Sequence, residues 1–217
     1  MELSINAAIP GFNEFLGGGV PPIVLVLVGP SGSGNEVFAR QIALSRAKEN
    51  AVSYFTIIKN PDSIRKIFST YNWSLKSLEK KGKWRFITPS KSRTWINAIK
   101  EEMDQHRSIV IDSLSELLLT HKVDEIIEIL TTLSTNNREC EELHQLLLTE
   151  GMQDSQVEST IQHFAEGIIY FSADWDGEIV SRNLIIKKMK GIFPPSRRLS
   201  YSIGKKGLKI ETTTRIT

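Results

Sequence analysis

A run of six apolar residues that ends at a glycine-rich loop restricts the fold of this chain more than any other feature. The run, Ile23 to Val28, is as long as a typical strand and contains no polar residue. Such runs are typical of strands that are buried on both faces of a parallel sheet. Gly29 follows the run, and apolar residues near helical spacing indicate a helix over residues 35–49. A strand, a glycine-rich loop and a helix in this order favour an α/β architecture.

The remainder of the chain alternates between predicted strands and helices up to about residue 172 and is rich in strands after that. Residues 143–148 fit either a helix or a strand, and the alternation favours a strand. Asp176-Gly177 indicates a hairpin turn. Further strands are predicted at 52–58, 84–87, 108–111, 167–172, 179–189, 199–203 and 208–212, and helices after Asn60, at 92–105, after Ser113, at 123–133 and at 155–165. We therefore predict one domain over residues 1–217, with an α/β core at about 5–175 and a β-hairpin extension at about 176–217.

Composition excludes several classes of protein. The chain has 217 residues, of which 40% are hydrophobic and 24% charged, as in ordinary globular domains. No run of about 18 apolar residues is present, and the first residues lack the pattern of a secretory signal, so we expect a cytoplasmic protein without a membrane span. The single cysteine, Cys140, excludes an intrachain disulfide and disfavours a zinc site. We predict no metal site.

The near-neutral net charge of +2 conceals a strong separation of charge along the chain. Residues 1–100 carry a net charge of +8, residues 101–178 a net charge of −15, and residues 179–217 a net charge of +9. Such asymmetry indicates either surfaces that bind a partner or acidic helix surfaces that the two ends neutralise within one fold. The sequence leaves both interpretations open.

The loop between the first predicted strand and helix has the glycine spacing of a phosphate-binding loop. In the pattern G-x-x-x-x-G-K-[ST], glycines let backbone N–H groups converge on an anion at a helix N-terminus. Gly29, Gly32 and Gly34 retain that capability. We take them as the nucleotide-binding part of a vestigial loop.

The two side chains that complete this pattern differ here. Asn35 occupies the lysine position, and Glu36 occupies the position of the hydroxyl that helps to hold Mg²⁺. The local charge therefore changes by two units, and one unit charge about 4 Å away is worth on the order of 4 kcal/mol at an effective dielectric near 20. We expect a large loss of nucleotide affinity, with Glu36 partly replacing the missing ligand at the loop.

Several segments together resemble the KaiC-like ATPases of the RecA superfamily, found in archaea and bacteria. The lead-in at Ile9 to Pro21 resembles the family's I-P-G-L-D-E-L-L-G-G-G-I-P, and Ile109 to Ser115 resembles its Walker B strand V-I-D-S-L-S. Similarity extends over about residues 5–212. Further matches lie at Ser53 to Ile64, Tyr71 to Trp73, Glu79 to Gly82, Gly167 to Tyr170 and Lys188 to Gly191. The resemblance implies a RecA-like P-loop fold, a mostly parallel sheet with helices on both faces.

The departures from the family pattern concern the catalytic residues. In this family an acidic pair follows the second strand, and one member activates the attacking water. Ile58 and Lys59 occupy those positions here. Neither side chain accepts a proton from water at neutral pH, so the comparison predicts that water activation is lost.

Three other polar residues have two interpretations each. Asp112 matches the family's Walker B carboxylate, which associates with Mg²⁺, or it is an aspartate at a strand end beside the helix start at Ser113. Lys188 and Lys190 match a hairpin that reaches a neighbour's nucleotide in KaiC-like hexamers, or they belong to an exposed basic hairpin. Lysine in place of the family's arginine loses the planar fork that binds phosphate in two places.

The function expected from the sequence is that of a non-hydrolysing KaiC-like domain, a pseudo-ATPase that binds protein as a regulatory or scaffold subunit. This hypothesis includes no cofactor, and it includes a protein partner or self-association. One alternative is a slow ATPase that uses Glu36 and Asp112 for Mg²⁺ and ATP. Another is a recombinase paralogue that binds nucleic acid through residues 179–210, which hold nine Lys and Arg and no acidic residue.

Overall fold

The computed structural model describes residues 4–89, 94–177, 179–193 and 195–211 of the chain. Strands and helices alternate in the first part of the chain, and the last part consists of strands. The strands are β1 (Val24–Gly29), β2 (Ala51–Thr56), β3 (Trp84–Ile87), β4 (Arg107–Asp112), β5 (His144–Thr149), β6 (Gly167–Asp176), β7 (Ile179–Met189), β8 (Leu199–Gly204) and β9 (Gly207–Ile210). The helices are α1 (Phe12–Leu16), α2 (Asn35–Glu49), α3 (Pro61–Thr70), α4 (Lys76–Lys80), α5 (Trp95–Met103), α6 (Leu114–Leu117), α7 (Val123–Cys140) and α8 (Ser155–Phe164). Within the described ranges, no helix combines the length and the apolar character that crossing a membrane requires.

These strands form one sheet with the order β3-β2-β4-β5-β1-β6-β7-β8-β9. The first six strands in this order are parallel. Strands β7, β8 and β9 are each antiparallel to the strand before them. This arrangement confirms the predicted α/β fold, a mostly parallel sheet with a C-terminal antiparallel extension. Residues 143–148, which the sequence left between helix and strand, fall largely within β5.

The central strand β1 shows why a strand that is buried on both faces needs an uninterrupted run of apolar residues. Leu25 and Leu27 belong to one hydrophobic core, which also includes the buried faces of α2 and α3. Val24, Val26 and Val28 belong to a second core on the other face of the sheet, with α5, α6, α7 and α8. Alternate side chains of a strand point to opposite faces, so a strand covered by helices on both sides has no exposed position for a polar residue.

Two edges of the sheet matter for function. We use "carboxyl edge" for the end at which the six parallel strands finish, and "amino edge" for the opposite end. The glycine-rich loop follows β1 at the carboxyl edge. The loop between β7 and β8 lies at the amino edge, because β7 runs antiparallel and its last residue pairs with Gly167 at the start of β6.

Some element boundaries differ from those predicted. Strand β2 ends at Thr56, before the predicted end at Ile58, because the Thr56 hydroxyl donates a hydrogen bond to the Lys59 carbonyl and turns the chain. Helix α7 continues to Cys140, well past the predicted end at residue 133. Asn137 stabilises its last turns, since its side chain bonds both the Pro22 carbonyl and the Glu142 amide. The predicted helix start at residue 92 and strand end at residue 212 lie outside the described residues.

Candidate functional site

The glycine-rich loop lies at the carboxyl end of β1, in the interior of the parallel part of the sheet. Gly29 is the last residue of β1, and Gly34 precedes the first residue of α2. Gly32 and Gly34 adopt φ angles of 82° and 92°, which residues with a side chain rarely adopt. The loop therefore brings backbone amides and a helix N-terminus to the edge where α/β sheets bind their ligands.

The C-terminal strand β8 packs directly against this loop. The Tyr201 hydroxyl donates a hydrogen bond to the Ser33 carbonyl. The Ile203 side chain is so close to Gly34 that a Cβ built on this glycine would lie 2.3 Å from Ile203 Cδ1. Burial raises the pKa of Tyr201, and the nearby positive charge of Arg182 opposes this rise. The shape of the loop is thus held by packing that the local sequence does not reveal.

Asn35 and Glu36 occupy the first turn of α2. Asn35 is only 5% exposed, and its side chain points back toward β1, where Nδ2 donates to the Leu27 carbonyl at 3.3 Å. Its Oδ1 accepts a hydrogen bond from the Glu36 backbone N–H at 2.9 Å. Asn35 therefore engages one of the helix N–H groups that have no partner within the helix. The sequence analysis expected Glu36 to replace part of the missing ligand at the loop, and this stays a prediction. The side-chain hydrogen bond observed at the start of α2 is made by Asn35.

Asp112 ends strand β4 and is enclosed by other charged and polar side chains. It is 2% exposed. Its Oδ2 accepts hydrogen bonds from Arg40 Nη2 at 2.8 Å and from the Tyr54 hydroxyl at 2.5 Å. Arg40 Nε also donates to the Tyr54 hydroxyl at 3.1 Å, which closes a buried triad of Arg40, Tyr54 and Asp112. We call these three residues the buried triad.

The buried triad keeps Asp112 ionised inside the protein. Burial by itself would raise the pKa of Asp112, but the positive charges of Arg40 and Lys59, with the hydrogen bonds from the triad, hold that pKa below its ordinary value. The pKa of Tyr54 is raised, because burial and the charge of Asp112 both disfavour its anion. Arg40 therefore supplies a fixed cation next to the carboxylate. Sequence reasoning missed Arg40, although an arginine on the inward face of the helix after a glycine loop was a usable signal.

Ile58 and Lys59 lie just beyond β2, beside Asp112. The Lys59 ammonium is 3.8 Å from Asp112 Oδ1, so it adds a second positive charge on the other carboxylate oxygen. Ile58 is 67% exposed and directs a large apolar side chain toward solvent. The structure therefore places a cation and an exposed aliphatic group at the two positions where the family resemblance led us to look for carboxylates.

Glu116 is a further carboxylate near these residues. It lies in the short helix α6, and Ser113 caps that helix by accepting a hydrogen bond from the Glu116 backbone N–H at 3.3 Å. Burial raises the pKa of the Glu116 carboxyl, and the positive charge of Lys59 opposes this rise. The sequence analysis predicted a helix after Ser113, and this corresponds to the observed helix start.

Lys188 and Lys190 lie at the amino edge, remote from the glycine loop of the same chain. Lys188 Nζ donates to the carbonyl of His163, at 3.0 Å, and Lys190 forms an ion pair with Glu166. The structure therefore does not bring them together with Asp112 or with the loop. Any contact between these lysines and such a site would have to be made with the site of another copy.

The fold and the loop define a class of protein, the P-loop NTPases of RecA type. A parallel sheet with a strand, glycine loop and helix at its centre, and an aspartate at the end of a strand two positions away, is the architecture of that class. A family model described as KaiC ATPase matches residues 5–215. The chain belongs to this family of the RecA superfamily.

Relatives of known sequence or structure agree with this assignment. A UPF0273 protein of Thermotoga maritima is 28% identical over 236 residues, with 95% of each chain covered. A UPF0273 protein of Pyrococcus horikoshii is 24% identical, covering 96% of this chain and 94% of its own. The crystal structure of a KaiC-like protein from Pyrococcus horikoshii superposes with a TM-score of 0.81 at 21% identity, covering 98% of this chain and all of its own. This likeness to the solved structure concerns the fold.

Proposed function

We propose that this protein is a KaiC-like domain that does not hydrolyse nucleotide and that acts in the cytoplasm as a protein-binding regulatory or scaffold subunit. The proposal rests on the buried triad. Arg40 and Tyr54 donate hydrogen bonds to the Asp112 carboxylate, the group that would otherwise be free to contact a metal ion. The phosphate side and the water side of the site support the same conclusion.

On the metal side, Asp112 fits a magnesium ion poorly. Its Oδ2 already accepts two hydrogen bonds, and Lys59 lies 3.8 Å from its Oδ1. A divalent cation would have to approach two positive side chains, at Arg40 and Lys59. Repulsion between like charges is strong in a poorly solvated site.

On the phosphate side, Asn35 provides no positive charge, and its amide is turned toward Leu27 in β1. Glu36, in the first turn of α2, adds a negative charge near the place where a phosphate would lie. The glycine loop retains backbone amides, but the net charge at its end opposes a polyanion. The residues present therefore fit a magnesium nucleotide poorly, and we assign no step to one.

On the water side, neither Ile58 nor Lys59 can act as a general base at neutral pH. Glu116 is a further carboxyl near these positions, and burial raises its pKa, but it lies beside Lys59 and belongs to the short helix α6. Metal binding, phosphate binding and water activation are three separate requirements of hydrolysis, and the residues of this one site disfavour all three. This combination favours a binding role over the slow ATPase.

Nucleotide titration and turnover measurements on the purified full chain test the proposal. We expect no tight binding of ATP with Mg²⁺ and no turnover above background. The double variant Asn35→Lys with Glu36→Thr should bind nucleotide more tightly than the wild type, and hydrolysis should stay weak until Ile58→Glu is added. Magnesium-dependent turnover by the wild type that is lost in Asp112→Asn, with the fold of that variant verified by circular dichroism, would refute the proposal and establish the slow ATPase.

A further inference from the structure

A groove beside the last strand of the sheet is lined by several lysines. It has a volume of about 600 Å³ and lies between β9, the N-terminal segment at Ala8 and Pro10, and Gln41 of α2. Residues 202–209, which belong to β8, its turn and β9, provide the rest of the lining. We call this the lysine groove. A concavity of this size is large enough to hold a ligand.

The charge of the lysine groove has one sign. Lys205 and Lys206 form the turn between β8 and β9, and Lys209 lies on β9. All three are exposed, and among the described residues their side chains have no ion pair and no hydrogen bond. No described residue of the lining is acidic. Three cations around one concavity favour a ligand with several negative charges.

The surface between the lysines is mainly apolar. Ala8 and Pro10 are exposed there, and Ile203 is half-buried. The groove therefore offers aliphatic contacts as well as positive charge. A ligand that uses both features carries aliphatic groups next to its negative charges.

Aromatic side chains are missing from the described lining of the groove. Trp73 packs beside Gly207, but its ring stacks on Tyr71, with ring centroids 4.8 Å apart. Proteins that bind single-stranded nucleic acid without sequence preference stack the bases on aromatic side chains. The aliphatic lining therefore favours an acidic peptide over a nucleic acid.

The backbone along the outer side of β9 is already hydrogen-bonded. Gln41 Oε1 accepts a hydrogen bond from the Leu208 amide at 2.8 Å, and Gln41 Nε2 donates to the Leu208 carbonyl at 3.2 Å. The Ile210 amide donates to the Pro10 carbonyl at 3.0 Å. A peptide that joined the sheet as a further strand would need these groups, so the groove has to bind its ligand through side chains.

The same contacts fix the walls of the groove before any ligand binds. Gln41 is only 7% exposed, and its Nε2 also donates to the Ala8 carbonyl at 2.9 Å, which ties the N-terminal segment to β9. Gly207 lets the hairpin approach this closely, since a Cβ built on it would lie 2.4 Å from Gln41 Oε1. A preformed groove avoids part of the entropic cost of binding.

We propose that the lysine groove binds a short peptide segment of a partner protein, a segment that carries several carboxylates and aliphatic side chains. The carboxylates pair with the three lysines, and the aliphatic side chains pack on the apolar surface beside Ile203. The inference rests on the proposed function, because it names the kind of protein that the regulatory or scaffold subunit binds. Opposite charges set orientation and the rate of association, and apolar burial supplies affinity.

Selection from a displayed library of random twelve-residue peptides provides the probe. The bait is the full chain, immobilised and free of nucleotide. We expect the enriched peptides to carry net negative charge together with Leu, Ile or Val. Absence of enrichment, or enrichment of neutral or basic peptides, would overturn the proposal.

Fluorescence anisotropy with the most enriched peptide then tests where it binds. Lys205→Glu with Lys209→Glu should raise the dissociation constant by more than about tenfold, because two attractive charges become repulsive. Lys205→Arg with Lys209→Arg keeps the charge and should stay within about twofold of the wild type. The matched control is Lys48→Glu with Lys100→Glu, two exposed lysines on α2 and α5 that do not line the groove. Equal affinity of the groove variant and the control variant would contradict the location.

The apolar contact has its own test. Ile203→Ala, with its fold verified by circular dichroism, should weaken peptide binding by about fourfold or more, which corresponds to one buried methylene group or more. Salt should weaken binding by the wild type, because the Debye length is about 8 Å at physiological ionic strength. An unchanged affinity of Ile203→Ala would overturn the proposed aliphatic contact.

Other occupants of the groove are distinguished in the same samples. Displacement of the peptide by a twenty-nucleotide thymidine oligonucleotide that binds more tightly would assign the groove to nucleic acid. Displacement by ATP with Mg²⁺ would assign it to a nucleotide. Wild-type oligomers that dissociate in Lys205→Glu with Lys209→Glu, observed by sedimentation velocity, would assign it to a second copy of the chain. Each of these results would overturn the peptide.

Turnover of ATP separates this inference from the loss of hydrolysis in the proposed function. Peptide binding at the groove together with magnesium-dependent turnover would leave the groove standing and refute the loss of hydrolysis. Absence of both would refute the groove and leave the loss of hydrolysis standing.

Discussion

The glycine loop and the ends of strands β2 and β4 lie at the same edge of the sheet, but they differ in what defines them. Backbone shape defines the loop, and side-chain contacts define the strand ends. The loop keeps the backbone shape of an anion site, with Gly32 and Gly34 at positive φ. At the strand ends, Asp112 is engaged by Arg40 and Tyr54, so its charge is satisfied inside the protein. The loop has the backbone shape of an anion site, whereas the carboxylate at the end of β4 is occupied by side chains of the same chain.

This difference shows that the shape of a phosphate-binding loop and its chemistry are maintained by different forces. The loop is shaped by packing, since Ile203 covers Gly34 and Tyr201 bonds the Ser33 carbonyl. A buried carboxylate such as Asp112 cannot persist without compensation, because an isolated charge in the interior costs several kcal/mol. The observed loop geometry is therefore weak support for activity, and the partners of Asp112 are the more informative observation.

The largest effect is expected from breaking the buried triad on one side. Arg40→Met leaves Asp112 buried without its main compensating charge and should lower the free energy of unfolding by about 3–5 kcal/mol. Replacing all three members, Arg40→Met with Asp112→Leu and Tyr54→Phe, should recover most of that loss, because no unpaired polar group then remains. Denaturant titration measures both. If Arg40→Met lowers the free energy of unfolding by less than about 1 kcal/mol, the buried triad does not stabilise the ends of β2 and β4.

The pH dependence of that single variant sharpens the same test. In the wild type the pKa of folded Asp112 is below its ordinary 3.8, so this carboxylate contributes stability above that pH, and the contribution is lost as pH falls through the folded pKa. In Arg40→Met burial should raise the folded pKa, so stability is lost as pH rises through it. The difference between the two proteins should therefore narrow as pH falls, first through the raised Asp112 pKa of the variant and then through the lowered Asp112 pKa of the wild type.

An intermediate effect is expected in the loop, where two glycines provide a matched pair. Gly32→Ala and Gly34→Ala both place a side chain at positive φ, which costs about 1–2 kcal/mol. Nothing lies within 4 Å of the added Cβ at Gly32, whereas Ile203 lies at 2.3 Å from it at Gly34. Because the nearby atom is the end of a half-buried side chain that can rotate, Gly34→Ala should cost only about 0.5–1.5 kcal/mol more, and Ile203→Ala should recover part of the excess. Equal losses at the two glycines in thermal unfolding would argue against packing as the cause.

The smallest effect is expected at the start of α2. Asn35→Ala removes the hydrogen bonds to Leu27 and to the Glu36 amide and should cost about 1 kcal/mol, on the scale of helix N-terminal caps. Glu36→Gln removes a negative charge from the first turn of α2, where the helix dipole favours it, and should cost about 0.3–1 kcal/mol. If denaturant titration gives the larger loss for Glu36→Gln, then Glu36 serves the loop as the sequence analysis expected.

Much of the fold could be predicted because its signals are local. The apolar run before Gly29, the glycine spacing and the alternation of strands and helices indicate a parallel α/β sheet, and the family resemblance implied helices on both of its faces. The boundary errors have different causes. At Thr56 a local hydrogen bond to the Lys59 carbonyl, three residues further on, ends β2, whereas at Asn137 the contact with the distant Pro22 and the bond to Glu142 stabilise the last turns of α7.

The candidate site was predictable only in part. The sequence identified the residues Asn35, Glu36, Ile58, Lys59 and Asp112 by their positions in a motif, and the structure brings Lys59 and Asp112 together. It could not identify Arg40 and Tyr54 as partners of Asp112, because they are 72 and 58 residues away along the chain. The position of Lys188 and Lys190 at the amino edge follows from the antiparallel direction of β7.

The sequence by itself determined the class of fold, since hydrophobic periodicity and glycine positions act over a few residues and need no distant contact. Only the tertiary structure decided which charges meet. Arg40 from α2 and Tyr54 from β2 converge on Asp112 because these two elements pack around the end of β4. It also decided which apolar side chains remain exposed, since exposure depends on what covers a residue in the folded chain. The electrostatic and packing terms that define the site are long-range in sequence, and for that reason they become visible only once the sheet is assembled.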